Sequence, residues 1–370
     1  MAILEFRNVT KRYGKVTALK NVSFKTRDGE FLVILGPSGA GKSTTLKIIC
    51  GLVNPSEGTV HLDGEDITKI PPYTRNISMT FENYSLYPHM TVFDNIAYPL
   101  RAKKGEFTEN QIREKVMNVA RMLHIEPLLD RFPSEASGGQ KQRIALGRTM
   151  VRNPRIYLLD EPLAHLDAKI RVELREEFHR IEALQKTTTI YVTHDYIEAL
   201  SLGDRIMIYN EGELLQIGTP DEVYNSPRNF EVARQVGQPA INAIPCSIVR
   251  EGGKISLRSE EEPSCILDTA PEHRPLLKGY AKSRVILGVR PKNIGITPES
   301  GAVELMGTVD VFQPLGSEGV LTSSVGKLSL VGLVDPEARV KHEDRIKIYL
   351  DKRAFYFFDP DTTVNLMVKN

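Results

Sequence analysis

Three short runs of aliphatic and β-branched residues stand out along the chain: "EFLVIL" (30–35), "RIYLLD" (155–160) and "TTIYVTH" (188–194). Each leads into a loop or helix, which predicts buried strands of an α/β sheet. Between the first two the period changes. "TENQIREKVMNVARMLHI" (108–125) opens with Thr108 and Gln111 at capping-box spacing, and its Ile112, Val116, Val119 and Leu123 fall on one helical face. A further helix is expected from Ser137 onward, with Ile144, Ala145, Leu146 and Met150 along its apolar side. These helices make a subdomain over about 85–153 inside a domain of residues 1–235. After about residue 240 the pattern shortens again. "SIVREGGKISL", "GTVDVFQPLG", "GVLTSSVGKLSLVGLV" and "DRIKIYLDKRAFYFF" are β-prone runs broken by Gly, Pro and Ser, and they predict a separate small all-β barrel over 236–370. "NSPRNFEVARQVGQPAIN" (225–242) reads as the linker.

Composition narrows the class. The chain has 370 residues, 41% hydrophobic and 26% charged, with a formal net charge of +1. That suits a globular protein of two or more domains and argues against one built mainly to hold nucleic acid. Cys50, Cys246 and Cys265 are too few and too scattered for a disulfide framework or a zinc site, so a reduced, cytoplasmic setting is expected. "MAILEFRNVTKRYGKV" lacks the apolar core of a signal peptide, and no run of 18 or more apolar residues is present to span a bilayer. Any membrane role must go through a partner.

The chemistry concentrates after the first strand. "GPSGAGKST" places Gly36, Gly41, Lys42 and Ser43 at the G-x-x-x-x-G-K-[ST] spacing, with Pro37, Ser38, Gly39, Ala40 and Thr44 completing the loop. Glycines there let backbone N–H groups wrap phosphates, Lys42 reaches the β/γ oxygens, and Ser43 offers its hydroxyl to Mg²⁺. Asp160 closes "RIYLLD" where a carboxylate can approach that ion, and Glu161 can polarise an attacking water. His194 ends a strand at the ligand-facing edge of such a sheet and is expected to touch the γ-phosphate. Tyr13 is a flat surface on which adenine could stack. Ser137, Gly138, Gly139 and Gln140 make a second anion site at a helix start.

On "GPSGAGKS", "ENYSLYPHM", "ASGGQKQR", "IYLLDEP", "LAHLD" and His194, in that order over residues 1 to about 235, the chain resembles an ATP-binding-cassette ATPase of the maltose-type carbohydrate importers. "LGVRPKNI" (287–294) and "QPLGSE" (313–318) extend the likeness to the C-terminal barrel of such subunits, a five-stranded oligonucleotide/oligosaccharide-binding type. The resemblance implies a P-loop cassette followed by that barrel, with ATP and Mg²⁺ as ligands. It further implies a head-to-tail dimer in which Gly36–Ser43 of one chain and Ser137–Gln140 of its mate sandwich each nucleotide. Asp167 lies at the seam, and Ser43, Asp160 and Glu82 lie around the metal. Tyr84, Leu86, Tyr87, Pro88 and His89 are candidates for seating a permease helix. The implied setting is the cytoplasmic face of the membrane, with permease subunits, an extracytoplasmic solute-binding protein and no direct nucleic acid. The C-terminal domain is expected to hold the dimer and receive regulators.

Three departures bear on this reading: Glu82 replaces the usual Gln, Ala136 the common Leu and Ala164 a frequent Ser. They leave a homodimer and a pair with a second, different cassette ATPase both open. A sugar, oligosaccharide or polyol is the expected cargo, with a polyamine, metal or anion as the alternative. A soluble non-transport cassette ATPase and a regulatory scaffold are the competing classes.

Overall fold

The computed structural model describes residues 2–81, 83–102, 105–164, 166–185, 187–251, 254–298 and 300–368. It comprises a first unit, Met1–Pro220, and a second, Asp221–Asn370.

In the first unit the strands are β1 (Leu4–Tyr13), β2 (Val16–Lys25), β3 (Phe31–Leu35), β4 (Glu57–Leu62), β5 (Glu65–Asp66), β6 (Ile77–Thr80), β7 (Ile156–Asp160), β8 (Thr188–Thr193), β9 (Arg205–Asn210) and β10 (Glu213–Gly218). The helices are α1 (Lys42–Ile49), α2 (Val92–Arg101), α3 (Glu109–Met122), α4 (Gly138–Met150), α5 (Ala168–Gln185) and α6 (Tyr196–Leu202). One sheet, ordered β10–β9–β3–β8–β7–β6, is parallel except for the β9–β10 hairpin. Strands β3, β7 and β8 are buried at every residue, as central strands covered on both faces must be, and this makes their sequences unbroken apolar runs. A second sheet, β2–β1–β4–β5, is antiparallel.

Helix α1 joins the two sheets into one core. Its Leu46, Ile48 and Ile49 cluster with Phe6, Val9 and Leu19 of the antiparallel sheet and with Ile34, Leu158, Ile190 and Met207 of the other. Arg75 caps its far end, donating to the carbonyls of Ile48 at 3.0 Å and Ile49 at 2.8 Å, with Nε bound to Ile70 O at 2.8 Å. A guanidinium suits the negative end of the helix dipole and leaves the opposite end free for an anion. In the helical region the Thr108/Gln111 capping box forms as expected. Gly147 of α4 lets Leu123, Val119 and Ile96 approach so closely that a Cβ there would sit 3.2–3.4 Å from them.

The second unit has α7 (Pro220–Asn225) at its boundary, then α8 (Phe230–Gln235) and α9 (Arg274–Gly279). Its strands are β11 (Asn242–Glu251), β12 (Lys254–Ser259), β13 (Ile266–Asp268), β14 (Arg284–Val289), β15 (Ile294–Gly295), β16 (Val303–Pro314), β17 (Gly319–Val325), β18 (Leu328–Val334), β19 (Arg345–Leu350) and β20 (Tyr356–Phe358). They form two antiparallel five-stranded sheets, β13–β12–β11–β14–β20 and β15–β19–β16–β17–β18, which together make a nearly closed barrel. The all-β barrel expectation holds, with ten strands among the described residues where a five-stranded type was expected. Residues 225–242 contain more than a connection. Val232 and Ala233 of α8 are buried, and Ala233 packs with Ile241 and Phe358. Arg290, 2% exposed, donates to the carbonyls of Val236 at 2.6 Å and of Tyr224, with its guanidinium 3.9 Å from the Tyr224 ring centre.

Candidate functional site

The parallel sheet delivers its chemistry at one edge, because β3, β8 and β7 are neighbours and all point the same way. Beyond β3 the loop turns tightly at Gly36, where a Cβ would lie 2.6 Å from the Tyr209 carbonyl oxygen. Gly41, at φ 102°, caps α1 without any side-chain hydrogen bond. The first intrahelical bond of α1 runs from Thr45 N to Gly41 O at 3.0 Å, so the amides of Lys42, Ser43 and Thr44 precede the helical ladder, the position an anion cradle uses. Lys42 is 5% exposed and spans the loop from below, its ammonium donating to Gly36 O at 2.8 Å and Pro37 O at 3.0 Å.

Strands β7 and β8 supply the acidic side. Ser43 Oγ donates to Asp160 Oδ1 at 3.2 Å. Glu161 adopts the left-handed φ of 46°, a costly conformation for a non-glycine residue that its neighbours enforce. Its N–H donates to Val192 O at 3.0 Å, and its carbonyl accepts from Gln142 Nε2 at 2.9 Å. The carboxylate then lies between two nitrogens, Oε2 at 3.0 Å from His194 Nδ1 and Oε1 at 3.9 Å from Lys42 Nζ. The turn carrying His194 is held by Thr193, whose Oγ1 accepts from Asp195 N and donates to the buried Glu198 carboxylate at 2.7 Å. Desolvation raises the pKa of Glu198, and hydrogen bonds from Thr193 and Tyr191 oppose that shift.

Lys42, Ser43, Asp160, Glu161 and His194 are thus one cluster. No group of three or more His, Cys, Asp or Glu that could hold a metal occurs among the described residues. A hydroxyl and a single carboxylate fit an ion that completes its shell with substrate phosphates and water, the habit of Mg²⁺.

The remaining expected residues stand apart from the cluster. Ser137 and Gln140 close a capping box on each other, with Ser137 Oγ accepting from Gln140 N and Gln140 Oε1 accepting from Ser137 N at 2.8 Å. Gly138 and Gly139 occupy the first two positions of α4, where amides have no intrahelical acceptor. Asp167 accepts from Ile170 N at 3.0 Å at the start of α5. Tyr13 ends β1 with its ring exposed and the Lys11 ammonium 4.8 Å from its centre. Ala136 is buried and Ala164 partly so. Glu82, expected near the metal, lies outside the described residues.

A groove of about 550 Å³ is lined by Tyr73, Met79, Tyr87, Tyr98, Arg148 and Arg152 among others. Of the five candidates for partner contact, Tyr87 lines it; Tyr84, Leu86, Pro88 and His89 do not. Two residues missing from the sequence reading shape its wall. Arg148 donates to the carbonyls of Ser85 at 2.7 Å and Tyr84 at 2.9 Å, both on left-handed residues, and lies over the Tyr87 ring. Asn95, fully buried, exchanges two hydrogen bonds with the Tyr87 backbone. An Asn between Val92 and Ile96 on an apolar helix face was the available signal.

Residues 19–164 match the protein family described as ABC transporter. The trehalose/maltose import ATP-binding protein MalK of Thermococcus litoralis is 40% identical over 98% of this chain and 99% of its own length. The sn-glycerol-3-phosphate import ATP-binding protein UgpC of Yersinia enterocolitica is 39% identical over 99% of each. Among solved structures, the dimeric post-hydrolysis state of the ATP-binding cassette MJ0796, bound to ADP and Pi, matches with a TM-score of 0.55 and 32% identity, covering 59% of this chain and 98% of that one.

Proposed function

We propose how this chain, which belongs to the ABC transporter family as an import ATP-binding subunit, carries out its ATPase cycle and on what cargo. The observation that carries the reading is the meeting of Lys42, Ser43, Asp160, Glu161 and His194 at one sheet edge. The amides of the Gly36–Ser43 loop and the Lys42 ammonium bind the ATP phosphates. Ser43 and Asp160 hold Mg²⁺, which when bound neutralises charge developing on the phosphate oxygens. Glu161 takes the proton of the attacking water as general base, and His194 fixes the direction of that carboxylate and reaches toward the γ-phosphate. Tyr13 stacks on adenine.

Ser137 and Gln140 cap each other at the start of α4, beside Gly138 and Gly139, and this helix start supports the service of Ser137, Gly138, Gly139 and Gln140 to a partner's nucleotide in a head-to-tail pair. Asp167 lies at that seam. The Tyr87 groove takes a helix of the permease, and so holds the chain at the membrane; no helix among the described residues is long and apolar enough to cross one. The names of the relatives, trehalose/maltose import and sn-glycerol-3-phosphate import, support a sugar, oligosaccharide or polyol as cargo. An extracytoplasmic solute-binding protein delivers it in this reading.

The test is a pull-down of the tagged chain from gently solubilised native membranes, paired with uptake by cells carrying wild type or Glu161→Gln. Permease subunits in the pull-down and loss of sugar or polyol uptake in the variant are expected. A second cassette subunit in the same fraction would replace the homodimer with a mixed pair. Absence of any permease would sink the importer assignment of the groove.

A further inference from the structure

The turn between β9 and β10 reaches back to the phosphate loop. Asn210 pairs with Glu213, so Glu211 and Gly212 form a two-residue turn, and both have positive φ, 46° and 81°. The Gly212 N–H donates to the carbonyl of Ala40, inside "GPSGAGKST", at 3.1 Å. Its carbonyl accepts from Lys20 N of β2 at 2.8 Å. One peptide residue therefore bonds both the phosphate loop and the antiparallel sheet. Only glycine fits: besides the left-handed φ, a Cβ would lie 2.8 Å from Ala18 O. The same Ala18 oxygen fills the space beside Gly41, where a Cβ would lie 2.6 Å away. Tyr209, also on this hairpin, presses its carbonyl against Gly36 and holds its hydroxyl 3.4 Å from Thr45 Oγ1 in α1. Across the junction the Lys20 ammonium is 3.2 Å from the Glu213 carboxylate.

Strand β2 is the hairpin partner of β1, and that hairpin closes on Tyr13 paired with Val16. The exposed ring of Tyr13 is thus connected to the phosphate loop through β2 and Gly212. We propose that Gly212 is a positioning residue that fixes the distance between the Tyr13 platform and the phosphate cradle. The proposal rests on the reading of Tyr13 as the adenine platform. A ligand held at both ends gains fully from the second contact only when the two sites are kept at the matching separation.

The test uses the full-length chain in EDTA, which stops turnover, with ATP and inorganic tripolyphosphate as probes in titration calorimetry. Tyr13→Ala is measured in wild type, in Gly212→Ala and in Gly58→Ala. Gly58 is a matched control: φ is 82° and a Cβ would lie 2.4 Å from Asn8 O, within the same sheet but away from the loop. Loss of the ring is expected to weaken ATP about fivefold in wild type and in Gly58→Ala, and less than twofold in Gly212→Ala, with tripolyphosphate unchanged by Tyr13→Ala throughout. An equal loss in the Gly212→Ala background would overturn the relay. No loss in wild type would remove the platform reading, and the relay with it. Amide exchange in the unmutated chain decides the matter if Gly212→Ala does not fold. ATP is expected to protect the Gly212 and Lys20 amides more than tripolyphosphate does, and equal protection by the two refutes the link.

Discussion

Asn95 is the strongest single hold on the loop that walls the groove, so its loss has a calculable effect. Its Oδ1 accepts from Tyr87 N at 2.8 Å, and its Nδ2 donates to the carbonyls of Tyr87, Met90 and Thr91 at 3.0, 3.1 and 3.0 Å. Asn95→Ala deletes all of these and strands the Tyr87 N–H beside a fully buried position. At roughly 1 kcal/mol net for a hydrogen bond and about 1–3 kcal/mol for a stranded donor, the cost is about 3–5 kcal/mol. For a unit of this size that corresponds to a fall in Tm of about 10 °C. Asn95→Asp is the sharper variant, because it keeps the shape and the acceptor for Tyr87 N. It turns an oxygen toward three carbonyls and buries a charge, so it should destabilise at least as much. Thermal unfolding followed by circular dichroism measures both, since the loss falls on helix α2 and its surroundings. An Asn95→Asp protein that melts within about 1 °C of wild type would refute the reasoning.

Three further outcomes are expected. Glu161→Gln should lower ATP turnover by about 10²–10⁴ while leaving ATP binding intact, and single-turnover hydrolysis at the wild-type rate would remove Glu161 as the base. Glu211→Asn should stabilise the β9–β10 turn by about 0.5–1 kcal/mol, since Asn-Gly suits two consecutive positive φ angles better than Glu-Gly; urea unfolding reads the change. In the second unit, hydrogen bonds from Lys282, then Tyr280, hold the Asp359 carboxyl well below the ordinary carboxylate range. A depressed folded-state pKa contributes stability above the unfolded value of about 4 and loses it as pH falls further. Asp359→Asn should therefore flatten the melting temperature between about pH 4 and 2 relative to wild type, and an unchanged acid slope would contradict the assignment.

What the sequence disclosed followed from burial and spacing. Strands β3, β7 and β8 were legible because both faces are covered and their runs are apolar without interruption. Strands β1, β2 and β4 were not: Asn8 at φ 51° and shifts of pairing between Phe6 and Lys11 break the alternation that would mark β1. In the site, the phosphate loop was readable from its fixed spacing. The contact of Glu161 with His194 instead depends on β7 lying beside β8, a neighbourhood set by the whole sheet. Arg75, Asn95, Arg148 and Gly212 escaped for a shared reason. Their hydrogen-bond partners are backbone carbonyls and amides, which every residue possesses, so no hydrogen-bonding side chain marks them in the sequence. The same holds for Arg290, one of whose carbonyl acceptors, Val236, lies in the stretch that composition alone presented as a linker.

Gln142 gives helix α4 two loyalties. Its first turn, Ser137–Gln140, is the part that the proposed pairing offers to a neighbour, yet the next turn holds the peptide of this chain's own Glu161 through a 2.9 Å bond. In the proposed pair, any shift of α4 as it meets the neighbour's phosphates is passed to the carboxylate on its own side. The expected outcome is that the two halves turn over in concert, read as a Hill coefficient above one for steady-state hydrolysis against ATP concentration and as loss of activity in a pair with one disabled half. Removing that donor, as Gln142→Leu does, frees the Glu161 carbonyl and is expected to uncouple the halves and give a hyperbolic ATP dependence.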